Sequence, residues 1–272
     1  MVSQTDPILA AKPQSRVWKK FRSHRSAMLG GSLVVFFILI AILAPILPIP
    51  DPAATDWGAV RKAPTAAHPF GTDEIGRDVL SRMIWGAQAS LLAGVVSVGI
   101  ALFLGVPLGI VAGYFGGWTD AIISRCTEAL LAAPFLLLAI ALAAFLGPSL
   151  PNAMIAIGIA SIPFYARVTH SVVLVEKGKP YFEAAIAAGA GHMRLIFLHL
   201  LPNVVPTLIV IGTLGVSTAI LAAAGLSFLG LGAQPPQPEW GFMLSSSRDL
   251  ISRAPWMMIF PGLAIAITVL GF

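Results

Sequence analysis

Charge is scarce in this sequence. Only 11% of the 272 residues are Asp, Glu, Lys or Arg, whereas 57% are hydrophobic and the mean hydropathy is +0.87. A soluble domain with this composition would expose a large apolar surface to water and would precipitate. We therefore interpret the chain as an integral membrane protein.

The sequence also has a single cysteine and lacks the common catalytic motifs. The single cysteine, Cys126, excludes an internal disulfide and any Cys-x-x-Cys metal or redox motif. The five histidines lack metal-ligand spacing, and no serine lies in a Gly-x-Ser-x-Gly context. No Gly-x-x-x-x-Gly-Lys-Ser/Thr phosphate loop is present either. We expect no catalytic centre, metal site or nucleotide site in this chain.

Long apolar runs, in contrast, are abundant. A helix needs about 20 residues to cross a hydrocarbon core of about 30 Å. Six windows meet this length and composition: 28–49, 90–115, 121–146, 150–173, 204–226 and 256–272. A β-barrel would instead show segments of about ten residues with alternating polarity, and the sequence lacks that pattern. The sequence predicts an all-α membrane protein with six transmembrane helices.

The distribution of basic residues predicts a cytoplasmic N-terminus. In that orientation 11 Lys and Arg residues lie inside and six lie outside, in agreement with the positive-inside rule. The first apolar run, of about 22 residues, exceeds the h-region of a signal peptide, and no Ala-x-Ala site follows it, so we predict a retained anchor. The net charge of +5 reflects this topology rather than nucleic-acid binding, because the basic residues cluster at membrane edges.

These spans divide the chain into four parts. We predict a cytoplasmic tail (1–27), an anchor helix (28–49), an extracytoplasmic segment (50–89) and a core of five membrane helices (90–272). In segment 50–89, the apolar residues Ile75, Val79 and Met83 predict an amphipathic helix that lies in the interface plane.

Two loops interrupt the core. Residues 177–203 are predicted to form a cytoplasmic loop, and residues 230–255 an extracytoplasmic one. Proline and glycine in 230–255 predict a folded-back loop before a short helix near 243–251.

Proline and small residues recur inside the predicted spans. Pro107, Pro134, Pro163 and Pro206 each remove a backbone donor and predict kinked or broken helices. Small residues let neighbouring helices approach closely, as at Gly94, Gly99, Gly105 and Gly109 of the second span.

Charged residues within the spans lie near their predicted cytoplasmic ends. Arg125, Glu128 and Arg167 can extend their charged groups to the interface there, and Arg125 with Glu128 is an i,i+3 pair. No acidic residue lies deep in a span, where a proton-coupled carrier would need one.

The segment EAAIAAGAGHMRLIFLHLLP, residues 183–202, carries a pattern at fixed spacing. It consists of Glu-Ala-Ala, three residues, Gly, nine residues, an aliphatic residue, any residue and Leu-Pro. The matching positions are Glu183, Ala184, Ala185, Gly189, Leu201 and Pro202. At the aliphatic position this chain has His199. The pattern resembles the cytoplasmic coupling loop of ABC-importer permeases.

The same residues have a direct physical interpretation. Alanines favour a short helix with little bulk, whose backbone can press into a groove on a partner. Gly189 ends or bends this helix, and Pro202 begins the next span, so that a push is transmitted into it. The alternative is an ordinary surface helix.

Two further segments resemble the dipeptide and oligopeptide branch of the same family. The first is the signature Phe-Gly-Thr-Asp-x-x-Gly-Arg-Asp followed by Ser-Arg, formed by Phe70, Gly71, Thr72, Asp73, Gly76, Arg77, Asp78, Ser81 and Arg82. The second is Pro-x-Pro-x-Trp-Gly, with the residues Pro236, Pro238, Glu239, Trp240 and Gly241. We expect this second segment to face a substrate-binding protein; a structural lid over the helices is the alternative.

The resemblance implies a type I ABC-importer permease, a multi-pass protein of the bacterial inner membrane. Its implied partners are a sister permease, two ATPase subunits that bind ATP and Mg, an extracytoplasmic substrate-binding protein and membrane lipid. The implied cargo is a di- or oligopeptide, with nickel or glutathione as alternatives within the family. An ATP-independent secondary transporter is the alternative from another class. Because relatives continue into a cytoplasmic tail, we expect a truncated C-terminus.

Overall fold

Long helices dominate the computed structural model, which describes residues 22–272. Within this range the secondary structure is helical apart from an isolated bridge between Thr72 and Asp78. The α-helices are α1 Arg25–Leu43, α2 Val79–Phe115, α3 Gly117–Leu131, α4 Phe135–Leu146, α5 Leu150–Lys177, α6 Pro180–Ala187, α7 Leu201–Phe228, α8 Trp240–Ser247 and α9 Trp256–Gly271. A short turn, His192–Arg194, and a π-helical segment, Leu195–Leu200, lead into α7. Most of the predicted tail, 1–27, lies outside the described residues.

Among the described residues, four helical segments are long and apolar enough to cross a membrane: Arg25–Leu43, Val79–Phe115, Leu150–Lys177 and His192–Phe228. The pair α3 and α4 qualifies as a fifth span if its two bent halves are counted together. Helix α9 is apolar but has 16 residues. The all-α prediction is confirmed, whereas six spans and a cytoplasmic N-terminus stay predictions.

The third predicted span, 121–146, is broken rather than straight. Helices α3 and α4 meet at 88° across a break that contains Ala132, Ala133 and Pro134. Pro134 has no N–H to continue the hydrogen-bond ladder of α3, so the chain turns here. The predicted interruption at Pro134 is present, while Pro107, in α2, lies inside a continuous helix.

The predicted amphipathic helix does not start at Ile75. Within residues 50–89, all of which are described, the helix begins at Val79 and continues without interruption into the second span. The Asp73 carboxylate accepts the backbone N–H groups of Ile75 (3.1 Å) and Arg77 (2.9 Å) and holds them in a turn. Asp78 then acts as the N-cap of α2.

Helices α2 and α5 pack backbone to backbone through small residues. Gly105, Gly109 and Gly113 follow one another at intervals of four on α2, so they share one face. A Cβ at Gly109 would lie 2.4 Å from the Ala166 carbonyl oxygen, and one at Gly105 would lie 2.9 Å from that of Ile162. The two helices run parallel and could not approach this closely with larger side chains.

Helix α7 packs antiparallel to α2. Gly94 of α2 faces Val216 and Ile220, while Val98, one turn further along α2, faces the earlier residue Gly215. The bundle therefore has two ends. We call the end with residues 50–90 and 227–256 the signature end, and the end with residues 113–120 and 176–203 the coupling end.

The close approach at Gly109 generates a stability prediction. We expect Gly109→Ala to destabilise the protein by about 1–3 kcal/mol, because the new methyl group overlaps the backbone of α5. The measurement is the thermal unfolding midpoint of the purified protein in mild detergent. Gly99→Ala is the matched control, since a Cβ there meets no atom within 4 Å. Equal midpoints for the two variants would show that α2 and α5 are not in backbone contact.

Candidate functional site

The predicted coupling segment forms helix α6 at the coupling end. Glu183 and Ala184 are exposed, and Ala185 is half-buried. The last two residues of the pattern start α7, with Leu201 half-buried and Pro202 exposed. Most of the pattern residues therefore lie at the protein surface rather than in the core.

Gly189 ends α6, as predicted. It is exposed and has φ +77°, a left-handed conformation that favours glycine. Its N–H donates to the Ile186 carbonyl (2.9 Å), and the N–H of Ala190 donates to that of Ala185 (3.1 Å). These two bonds form a Schellman cap, which fixes where α6 stops.

Phe182 holds α6 on the bundle, and the sequence pattern did not identify it. Its side chain is 2% exposed and belongs to a cluster that includes Tyr114, Val173, Leu195 and Leu200. Burial of a Phe side chain stabilises by about 1.5–3 kcal/mol. The signal available in the sequence was an aromatic residue directly before the Glu-Ala-Ala triplet.

Polar contacts hold the start of the coupling segment. The Glu176 carboxylate accepts from Lys179 Nζ (2.5 Å) and from Tyr181 Oη (2.7 Å). Burial, reinforced by the hydrogen bond to Glu176, raises the pKa of Tyr181 to about 12. Tyr181 thus keeps its proton, and remains a donor, at any physiological pH.

The chain between α6 and α7 contains the π-helical segment Leu195–Leu200. Leu195 and Leu200 are buried in the same cluster as Phe182, and His199 is half-buried. The His199 carbonyl accepts from Asn203 Nδ2 (2.6 Å). The position at which the pattern prefers an aliphatic residue therefore lies in a π-helical turn.

The signature residues form a buried ionic network at the opposite end. Asp73 Oδ2 lies 2.6 Å from Arg77 Nε and 3.6 Å from Arg82 Nε, and all three side chains are almost fully buried. Arg77 also contacts Glu74 Oε1 at 3.1 Å, and Arg82 donates to the Pro52 carbonyl at 3.1 Å. Each buried charge thus has a partner, as buried charges require.

Other signature residues attach this segment to α9. Trp256 Nε1 donates to the Thr72 carbonyl (3.1 Å), and the rings of Phe70 and Phe260 stack with centroids 4.0 Å apart. Gly71 lies against Trp256, where a Cβ would approach the indole nitrogen to 2.7 Å.

The end of the signature starts α2. Asp78 caps the helix by accepting from the Ser81 N–H (2.8 Å), and its other oxygen lies 3.0 Å from His68 Nδ1. The Ser81 hydroxyl donates to the Pro50 carbonyl. Gly76 is buried, and a Cβ there would overlap a neighbouring backbone carbonyl.

Glu239 of the second signature segment is 1% exposed. Its carboxylate accepts from the N–H groups of Gly241 (2.9 Å) and Phe242 (2.8 Å) and from Ser90 Oγ (3.2 Å). Burial raises the pKa of the Glu239 carboxyl above its usual range, although the backbone donors favour the charged form. Glu239 therefore caps α8 and ties it to α2.

Trp240 is buried as well. Its Nε1 donates to the Met83 carbonyl (3.0 Å), and its ring lies edge-on to Phe37 of α1 at 5.5 Å. A Cβ at Gly241 would lie 2.4 Å from the Ala224 backbone.

These positions reduce the number of residues in the second signature segment that can contact a partner. Glu239, Trp240 and Gly241 lie in the interior of the single chain, where they hold the folded-back loop in place. Pro236 is exposed and Pro238 half-buried, so these two stay candidates for contact with a partner.

The charged residues of the spans lie at the coupling half of the bundle. Arg125 and Glu128 approach to 3.5 Å and are largely exposed, and Arg167 is exposed. Asp120 Oδ1 and His170 Nε2 lie 3.0 Å apart and connect α3 with α5.

The buried network gives a prediction for Asp73. Asp73→Asn should destabilise the protein by about 3–5 kcal/mol, because it leaves two buried guanidinium groups without their shared counter-ion. Chemical unfolding in detergent measures the effect. Asp249→Asn is the control, since this exposed aspartate pairs with Arg248 at 3.5 Å in solvent. Equal losses in both variants would contradict a structural role for the network.

Comparison with known families agrees with this geometry. Residues 105–272 match the family described as binding-protein-dependent transport system inner membrane component. Residues 13–64 match the N-terminal TM domain of oligopeptide transport permease C.

Individual relatives cover nearly the whole chain. The dipeptide transport system permease protein DppC of Alkalihalophilus pseudofirmus is 46% identical over 267 residues, covering 98% of this chain and 88% of the relative. The di/tripeptide transport system permease protein DppC of Pseudomonas aeruginosa is 45% identical over 275 residues, covering 98% and 90%. The glutathione transport system permease protein GsiD of Pectobacterium atrosepticum is 41% identical over 273 residues, covering 98% and 91%.

A solved structure shares the fold. The MetNI methionine ABC transporter in an inward-facing conformation superposes with a TM-score of 0.59 and 21% identity, covering 69% of this chain and 89% of the other. The predicted type I importer architecture is thereby confirmed. The chain is a multi-pass inner-membrane permease, and it belongs to the family of binding-protein-dependent transport system inner membrane components.

Proposed function

We propose that this chain is the pore-forming permease subunit of an ATP-driven importer of di- or oligopeptides. The observation that carries the proposal is helix α6, which presents Glu183 and Ala184 to solvent at one end of a membrane-embedded bundle. In this proposal ATP and Mg bind to partner ATPase subunits, and the permease itself is not an enzyme.

Helix α6 is suited to receive a force from such a partner. Ala184 and Ala187 are small exposed residues of α6, so a groove on an ATPase subunit can contact the backbone closely at these positions. Its inner face is fixed by Phe182, and its end by the cap at Gly189. A displacement of the partner surface therefore moves α6 as a unit instead of unfolding it.

A sister permease is supported by the surface of α3 and α4. None of the residues of α3, all of which are described, is buried, and α4 buries only Ala139 and Ala143. Large apolar side chains are exposed on this surface, among them Trp118 and Phe145. In a membrane, lipid or a protein partner covers such a surface. In this proposal the sister permease lies here, where the two subunits would enclose a pore.

The signature end is suited to contact a substrate-binding protein. Its buried ionic network and its capped loop make a preformed platform, which binds with a smaller entropy cost than a mobile one. Pro236 and Pro238 lie on the accessible side of this platform.

The relatives favour a peptide cargo. Their names include dipeptide and di/tripeptide permeases, with 45–46% identity. Glutathione permeases at 41–43% identity support the alternative cargo. Nickel stays a third possibility within the family, and an ATP-independent carrier has no support from these relatives.

Loss of Glu183 tests the coupling surface. We expect Glu183→Ala to reduce co-purification of ATPase subunits about tenfold, as for removal of an interface hot spot. The measurement compares tagged protein purified from native membranes in mild detergent. Asp249→Ala is the control, because Asp249 is an exposed acidic residue at the signature end, away from α6. If wild type retains no ATPase subunits, or if Glu183→Ala binds them normally, the proposed role of α6 is wrong.

The cargo is tested by uptake into proteoliposomes that contain the complete complex and its binding protein. We expect ATP-dependent accumulation of a labelled dipeptide, with competition by unlabelled dipeptide and much weaker competition by glutathione or Ni²⁺. Stronger competition by glutathione would assign the alternative cargo. Uptake that persists with a hydrolysis-deficient ATPase would instead favour a secondary transporter.

A further inference from the structure

Tyr114 lies where three parts of the coupling end meet. It belongs to the last turn of α2 and is 9% exposed. Its ring lies edge-on to Phe182 of α6 (6.5 Å) and to His192 after α6 (5.7 Å). Lys177 Nζ, at the end of α5, lies 5.8 Å from the ring centroid. One side chain thus contacts α5, α6 and the chain that follows α6.

A hydrogen bond joins Tyr114 to that following chain. Tyr114 Oη and His192 Nδ1 are 2.6 Å apart, although 78 residues separate them in sequence. By contrast, the bond from Tyr181 to Glu176 spans five residues and joins α6 only to the last turn of α5, which directly precedes it in the chain. The Tyr114–His192 bond therefore connects the coupling segment to α2 directly.

Lys177 extends this connection to α5. Its ammonium group donates to the carbonyls of Gly113 (3.0 Å) and Tyr114 (2.8 Å). These carbonyls belong to the last turn of α2, where no helical N–H follows to bind them. The positive charge also stabilises the negative end of the α2 dipole. Lys177 thus links the last turn of α2, which contains Tyr114, to the end of α5.

The covalent path from α6 to α7 is irregular. It passes through Gly189, with φ +77°, and through the π-helical segment Leu195–Leu200. π-Helical turns are rare and often lie at functional sites. This path reaches α7 through two stretches that are not α-helical, whereas the Tyr114–His192 bond reaches α2 directly.

We propose that Tyr114 and His192 are positioning residues that transmit displacement of the coupling segment to α2 and, through Lys177, to α5. This inference rests on the proposed coupling function of α6. The expected path for this displacement runs through Pro202 into α7, and the Tyr114–His192 contact adds a second path. Because α2 and α5 run parallel in backbone contact, they then move together. A push on α7 alone would not move both of these helices.

Tyr114→Phe tests the inference in the complete reconstituted complex, because it removes one hydroxyl and keeps the ring. We expect transport per ATP hydrolysed to fall about three- to tenfold, as for loss of one hydrogen bond's coupling. Retention of ATPase subunits should stay within about twofold of wild type, since α6 keeps its exposed surface. Ser171→Ala is the control, because the Ser171 hydroxyl is exposed and bonds only within α5 (to the Arg167 carbonyl, 3.0 Å), and it should leave transport per ATP unchanged.

A double-mutant cycle separates this role from simple structural support. His192→Leu should reproduce the Tyr114→Phe defect, and the double variant should be no worse than either single one. His192 is exposed, so its variant carries the test if Tyr114→Phe fails to assemble.

The outcomes distinguish this inference from the proposed function. Normal transport per ATP in Tyr114→Phe and His192→Leu, or additive defects in the double variant, would overturn the inference alone. A wild-type complex that retains no ATPase subunits would overturn the coupling function on which it rests.

Discussion

The backbone contact between α2 and α5 is the constraint on which the rest of the structure depends. Because Gly105 and Gly109 leave no room for sliding, the register between the two helices is fixed. That register brings Lys177 to the last carbonyls of α2 and Tyr114 to Phe182. The position of the coupling segment is therefore determined by small residues located within the membrane spans.

The two ends of the bundle satisfy their polar groups in different ways. At the signature end, charges such as Asp73 and Arg82 are paired in the interior, so separating them would be costly. At the coupling end, Glu183 and its neighbours remain accessible, and a few contacts hold the helix. One end is suited to preserve its shape, and the other to be displaced by a partner.

The sequence was sufficient for the helical class, for most of the membrane spans and for the exposed part of α6. These features depend on local composition and short-range spacing. The burial of Glu239 depends on a distant partner instead: Ser90 binds Glu239 across 149 residues. A sequence pattern contains Phe-Gly-Thr-Asp or Pro-Glu-Trp-Gly but does not reveal whether those side chains face inward. The 88° angle at Pro134 similarly depends on what α4 packs against.

The π-helical segment Leu195–Leu200 has a geometric consequence for the whole coupling end. Each residue of an α-helix rotates the chain by about 100° around the helix axis. A wider π-helical turn therefore changes the direction in which the preceding chain enters α7. The direction from which the chain at His192 meets the buried face of α7 is therefore set within this turn. The geometry of the return from the coupling segment is thus specified at the start of the following membrane helix.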